Sequence, residues 1–482
     1  MTVLKNAQWN MFSQLFKMLV QLVNVIYLAK IIPPAEYGLM AMALVIINLG
    51  ILLRDLGTSA AIIQRKTITQ KLTDTIFWLN VVMGILLAIL IIVAAPFVSS
   101  FYEQQKLLPV LLMLSITFPL SSCAATHLAL LERESQFKII SFVEVSSSLV
   151  SVIIAIVLAN LGFGVFSLVG QAIVLNLMSA VQFWKASKWR PTLRNFIDIK
   201  ELKGIFAFSA NLSLFNFINY FSRNADSFII GKFMSAAILG SYNLGYRLML
   251  FPIQTLTFVA NRSLYPILSK HQDDNELISS NYFNCVFIIL LLTSPLMCGL
   301  AFYSIPFIHL VFGEKWFLTA EILHWLAPTA IIQAVLSTTG AVFMAKGRTE
   351  VLMRLGIIGT ILQVGSFIIG VQYSITIFAM CYFISNCINF IPVMFCLMKI
   401  IDGSLLSFLK NIFPIFLSSI IMLLILYLMN TIYPVEEITS LFSLFGFSLV
   451  GAFCYIVALY ILSSKFRNFI ISVVIKKRTS CL

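Results

Sequence analysis

Uninterrupted apolar runs of about 15–25 residues recur along the whole chain, and they restrict its fold more than any other feature. A helix crossing a bilayer needs about 20 apolar residues. Strands of a membrane barrel would instead alternate polar and apolar positions. Fourteen spans can be drawn: 8–32, 37–63, 75–100, 107–131, 138–160, 163–184, 204–231, 236–267, 280–303, 319–345, 350–371, 373–398, 410–430 and 439–463. The composition agrees, with 60% hydrophobic and only 11% charged residues in 482, against about 25% charged in soluble domains. A soluble enzyme is excluded, and the expected class is an all-α polytopic membrane protein.

The net charge of +13 reads as loop bias and not as a nucleic-acid surface. With the N-terminus inside, cytoplasmic segments hold 22 of the 32 Lys and Arg, and outer loops hold 4 (Lys30, Lys106, Lys232, Lys315). Both termini are therefore expected to be cytoplasmic, as is the basic 185–203 connection. The largest outer loop is expected at about 304–318. The eight cysteines form no Cys-x-x-Cys pair, so neither a disulfide framework nor a metal site is indicated. The first apolar stretch lacks a cleavage site for a signal peptide and reads as span 1.

A shift of 202 residues lays span 1 on span 7: Lys30 falls on Lys232, Ala35 on Ala237 and Gly38 on Gly240. Gln14, Lys17, Gln21 and Asn24 then match Asn216, Asn219, Arg223 and Asp226, with the same spacing. Residues so spaced share one helix face, and polar faces within a membrane turn toward a bundle interior or a watery cavity. Six helices separate the halves, so they run parallel, as in secondary transporters with substrate between the halves. The expected organisation is an N-lobe at 1–184, the linker at 185–203, a C-lobe at 204–400, and two peripheral helices with a basic tail at 401–482.

Arg223 and Asp226, at i and i+3, either pair with each other or line a cavity in which Arg223 meets an anion. In span 8, Arg247 and Gln254 share a face on either side of Pro252. Arg54 and Asp55 are neighbours that point apart and need separate partners, as a latch or as ligand contacts. Lys17 either snorkels or faces the cavity. Glu144, among Ser141, Ser147, Ser148 and Ser151, either packs between helices or binds a coupling proton or Na⁺. Asp226 and Asp55 are the other acidic candidates for coupling. Asn216, Asn219, Gln21 and Gln254 complete the candidate substrate-binding set. No nucleotide-binding or hydrolase motif is present, so no cofactor is expected and the driving energy would come from a gradient.

Tyr37-Gly-Leu-Met-Ala-Met-Ala, Arg54-Asp-Leu-Gly and Ile63-Gln-Arg-Lys66 resemble the opening of the Wzx-type polysaccharide exporters, as does Phe77-Trp-Leu-Asn80. The second half adds Ser222-Arg-Asn-Ala-Asp226, Ile230-Gly-Lys232, Tyr246-Arg-Leu-Met249 and Tyr265-Pro-Ile-Leu-Ser269, and the connection adds Trp189-Arg-Pro191. The likeness covers residues 1–400 and is nearest the colanic acid and teichuronic acid exporter branch of the multidrug/oligosaccharidyl-lipid/polysaccharide superfamily. Thr58-Ser59 departs from the usual pattern.

The resemblance implies two six-helix lobes around a cationic cavity. It also implies a flippase that carries undecaprenyl-diphosphate-linked oligosaccharide repeat units across a bacterial inner membrane. A polymerase and glycosyltransferases of the same pathway are the candidate protein partners. A multidrug or cation exporter on the same fold is the first rival, and a membrane polymerase or glycosyltransferase the second. An intramembrane surplus of Lys17, Arg54, Arg223, Arg247 and Arg262 over Asp55, Glu144 and Asp226 favours an anionic substrate.

Overall fold

The computed structural model describes residues 3–54, 62–63, 68–193, 198, 220–221, 223–434, 438–468 and 470–471. Among these the chain is helical, with no strand. Eleven of the described helices are long and apolar enough to cross a membrane. Fourteen spans were expected, and most of span 7 lies outside the described residues.

The elements are α1 (Val3–Ile31), α2 (Pro34–Arg54), α3 (Gln70–Phe101), α4 (Leu107–Ser115), α5 (Thr117–Arg133), α6 (Phe137–Asn160) and α7 (Val165–Ala186). They continue as α8 over 223–233, α9 (Ala236–Lys270), α10 (Asn275–Phe302), α11 (Ser304–Phe312) and α12 (Phe317–Ala345). The last are α13 (Thr349–Gly370), α14 (Ile375–Ile400), α15 (Leu405–Ile432) and α16 (Leu441–Leu462). Side-chain oxygens start several of them, as Thr69, Asp274, Ser374 and Ser440 accept from amides three residues on. The expected outer loop at 304–318 is largely helix α11. Its sequence Ser-Ile-Pro-Phe-Ile-His-Leu-Val-Phe is apolar enough to fold back against α12, and Gly313 ends it at φ +96°.

Two compact units are formed, Met1–Gly240 and Ser241–Leu482. In the first, α3 packs on α5, α5 on α7, α7 on α6, and α6 on α1. In the second, α10 packs on α12, α12 on α14, and α14 on α13. The same order of neighbours thus recurs, and in both units a short helix precedes the second long one (α4 before α5, α11 before α12). The internal repeat is therefore visible in each unit's packing. In the second unit, α15 and α16 pack on each other, with α15 against α10. Outward-facing Phe97, Ile432 and Phe442 are 73%, 86% and 87% exposed, as suits side chains meeting lipid.

Residues 220–240 belong to the first unit. Tyr220 Oη donates to the Val45 carbonyl at 2.6 Å, and Lys232 Nζ reaches the Phe101 carbonyl at 2.7 Å and Glu103 at 3.1 Å. Tyr102 lies beside them at the end of α3, and burial pushes its phenol up to about 12. At the start of α2 and α9 the two backbones touch. A Cβ added to Gly38 would lie 1.7 Å from the Ala236 carbonyl oxygen. One added to Gly240 would lie 1.9 Å from that of Pro34. Positions 34 and 236, and 38 and 240, are equivalent under the 202-residue shift, so each half offers the other the same glycine and the same carbonyl. Only glycine permits this approach, as at close helix crossings in membranes.

Candidate functional site

The polar face of α1 turns toward α6 and α7. Lys17 Nζ lies 2.6 Å from Glu144 Oε2, and their side chains are 25% and 34% exposed. Together with Gln21, Ser148, Asn176 and Ser179 they line a cavity of about 480 Å³ in the first unit. One turn further on, buried Asn24 donates to Gln171 Oε1 at 3.2 Å. The neighbouring serines do not supply the partner of Glu144. Ser146 donates to Gln182 at 2.7 Å, and Ser151 to the Ser148 carbonyl at 2.8 Å. Pairing a cation with a carboxylate lowers the cost of placing either within a membrane.

In the same unit, Arg54, Arg223 and Asp226 do not line this cavity. Arg54 ends α2 and donates to Ser121 Oγ of α5. Asp55, Asn216 and Asn219 lie outside the described residues. Arg223 is exposed on α8 and makes no ion pair with Asp226. Asp226 is 5% exposed and accepts from the Ser227 amide at 2.6 Å. Arg247 and Gln254 are exposed on α9, which runs unbroken through Pro252.

Two features escaped the sequence reading. The first is an uncharged polar cavity of about 240 Å³ in the second unit, between α12, α13 and α14. Thr339, Thr360, Gln363, Ser385, Asn386 and Asn389 contribute to its wall, and Asn389 Oδ1 is buried without a partner. Gln333 donates to Tyr382 Oη beside it. The sequence signal was available: Asn386 and Asn389 stand at i and i+3 inside a span, as Lys17 and Gln21 stand one turn apart.

The second is Asp74, fully buried at the start of α3. Its carboxylate accepts from the Thr192 amide at 3.2 Å, Thr192 Oγ1 at 2.5 Å and Gln70 Nε2 at 3.0 Å. Trp78 Nε1 donates to the Thr192 carbonyl at 3.0 Å. Phe77, His127, Trp184 and Trp189 close into one aromatic cluster beneath it, with ring centroids 4.8–6.1 Å apart. Two of the motifs that carry the family resemblance, Phe77-Trp-Leu-Asn80 and Trp189-Arg-Pro191, are therefore one structural joint. It fixes the start of the connection after α7.

Comparison with known proteins agrees with this architecture. Over residues 27–321 the chain matches the family of polysaccharide biosynthesis proteins. It is 28% identical to the lipopolysaccharide biosynthesis protein WzxC of Escherichia coli over 375 residues, 77% of this chain and 75% of that one. It is 27% identical to the teichuronic acid biosynthesis protein TuaB of Bacillus subtilis over 350 residues, 72% of each. Among solved structures, the lipid II flippase MurJ in an inward closed conformation matches with TM-score 0.69 and 19% identity, covering 97% of this chain and all of that one. An inward-facing multidrug transporter of the MATE family matches at 0.57 and 16%, covering 80% and 94%. With more than half its length matched by the family and the same helical fold throughout, the chain belongs to the polysaccharide biosynthesis protein family.

Proposed function

We propose that this protein is a flippase. It carries oligosaccharide repeat units, linked to undecaprenyl diphosphate, from the cytoplasmic to the outer leaflet of a bacterial inner membrane for surface polysaccharide assembly. The observation that carries the reading is Lys17, a cation held ready by Glu144 on the wall of an intramembrane cavity. A diphosphate leaving water loses hydration worth many kcal/mol, and fixed cations in low dielectric offset it. Arg223 and Arg247 add planar, multidentate donors suited to phosphate, and Arg54, Gln21 and Gln254 extend the polar path. The sugars need amides and hydroxyls, while the prenyl chain stays in lipid.

In this reading the halves 1–184 and 204–400 rock about the substrate, giving alternating access. Both termini and the 185–203 connection lie on the cytoplasmic side. Glu144, with Asp226 and Asp55, is the proposed seat of coupling to a proton or Na⁺. A polymerase and glycosyltransferases of the pathway make and consume the cargo. The protein is a transporter in this account and not the enzyme that builds the glycan.

The experiment is deletion of the gene in its own host, with lipid extraction of the membranes. The expected result is loss of surface polysaccharide and accumulation of lipid-linked repeat units, both reversed by the wild-type gene. Unchanged polysaccharide with heightened sensitivity to cationic drugs would instead establish the multidrug-exporter reading.

A further inference from the structure

At one end of the second unit four helix ends converge: the starts of α10 and α13 and the ends of α12 and α14. They enclose a cavity of about 460 Å³ lined by Asn275, Lys346, Arg348, Val351, Lys399 and Ile400. Three cations therefore share one small wall with two aliphatic side chains. Lys346 Nζ donates to the Gln272 carbonyl at 2.5 Å. Arg348 and Lys399 are exposed and make no ion pair among the described residues.

The nearby acids are occupied or stand outside this lining. Asp402 accepts from the Asn275 amide, and Asp274 caps α10 by accepting from the Leu277 amide at 2.9 Å. Asp273, Glu276 and Glu350 are exposed and do not line the cavity. Arg348 stands at the N-cap of the 22-residue α13 and supplies no side-chain cap.

The bias of Lys and Arg toward one side of a membrane explains cations at this end. It does not explain their gathering around a void, where like charges repel across a short distance and water could have separated them. A bound anion between them removes the repulsion. Val351 and Ile400 place that anion beside apolar surface, as a lipid headgroup requires.

We infer that this cavity is a phosphate-binding site, filled by the headgroup of an anionic phospholipid or by a free phosphate. It is separate from the Lys17 cavity, and the proposed topology enters only in naming its side as cytoplasmic.

The test uses the full chain, purified and delipidated in detergent, with thermal unfolding followed during titration. The probes are dioleoyl phosphatidylglycerol, dioleoyl phosphatidylcholine and inorganic phosphate. A saturable rise in Tm with phosphatidylglycerol and none with phosphatidylcholine supports a lipid headgroup. A saturable rise with inorganic phosphate alone supports a soluble phosphate. In either case the double variant Arg348→Gln with Lys399→Gln should weaken the response at least tenfold. The matched variant Lys188→Gln with Lys410→Gln, which removes two charges elsewhere, should leave it unchanged. Should the first double variant fail to fold, Arg348→Lys should retain a saturable response and Lys399→Gln alone should weaken it. Equal action of the two lipids without a phosphate response, equal loss in both double variants, or no saturable response to either anion overturns the site.

Discussion

Lys17 and Glu144 stand 127 residues apart in sequence and 2.6 Å apart in space. This single contact joins a residue chosen as a substrate cation to one chosen as a coupling acid. An anion that takes Lys17 shares its ammonium with Glu144 or displaces it, so the two proposed roles are coupled by geometry. Breaking an ion pair by removing one partner leaves the other charge uncompensated, whereas removing both does not. Lys17→Met and Glu144→Gln should each lower stability by about 1–3 kcal/mol, less than for a fully buried pair because both side chains retain solvent contact. The double variant should recover most of that loss in thermal melts, yet export should stay lost if Lys17 meets the diphosphate. Recovery of both would reduce the pair to a structural one.

Arg223 makes no ion pair with Asp226, so neutralising Asp226 is not its task. Export of lipid-linked repeat units, at matched protein abundance, should fall from wild type through Arg223→Lys to Arg223→Ala. Lys keeps the charge and loses the planar fork. Arg223→Ala combined with Asp226→Asn should remain as inactive as Arg223→Ala alone. Rescue by the second substitution would remove Arg223 from the substrate path.

Gly38 and Gly240 each face a backbone carbonyl that cannot retreat. Gly38→Ala and Gly240→Ala should therefore each reduce membrane abundance and lower Tm by several degrees, since a single methyl would force two helices apart. Gly299→Ala is the control, because its Cβ would meet nothing within 4 Å. Alanine at Gly38 with unchanged Tm would mean that the two helix starts do not press together in the membrane.

Asp74 holds Thr192 and so the start of the 185–203 connection. Asp74→Ala removes the acceptor that the Thr192 amide, Thr192 Oγ1 and Gln70 Nε2 share. Trypsin should then cut after Lys188 several-fold faster than in wild type, while cutting after Lys315 is unchanged. The cleavage should occur in inside-out vesicles and not in sealed right-side-out ones. Cleavage from the outer side would invert the proposed topology.

The helical class, most of the spans and the repeat were legible because membrane helices announce themselves by length and apolarity. Lys17 and Glu144 were legible as individuals, since a lone charge within an apolar run is conspicuous. Their meeting was not, because one sequence gives no measure of proximity across 127 residues. Asn386, Asn389 and Gln333 escaped because a neutral amide inside a span is also a common helix-packing residue. Asp74 escaped because it sits at the mouth of a span, where an acid reads as loop. The helix within 304–318 reads as loop in the sequence because its nine residues are too short to span.

The mutual contact of Gly38 and Gly240 is unchanged when positions 34 and 38 are exchanged with 236 and 240. A half-length ancestor would need only one such glycine and one such carbonyl to form it, because two copies of the same chain present both at once. The crossing is thus the kind of contact a symmetric dimer makes. In a single chain each glycine must be kept separately, and losing either undoes half of the contact.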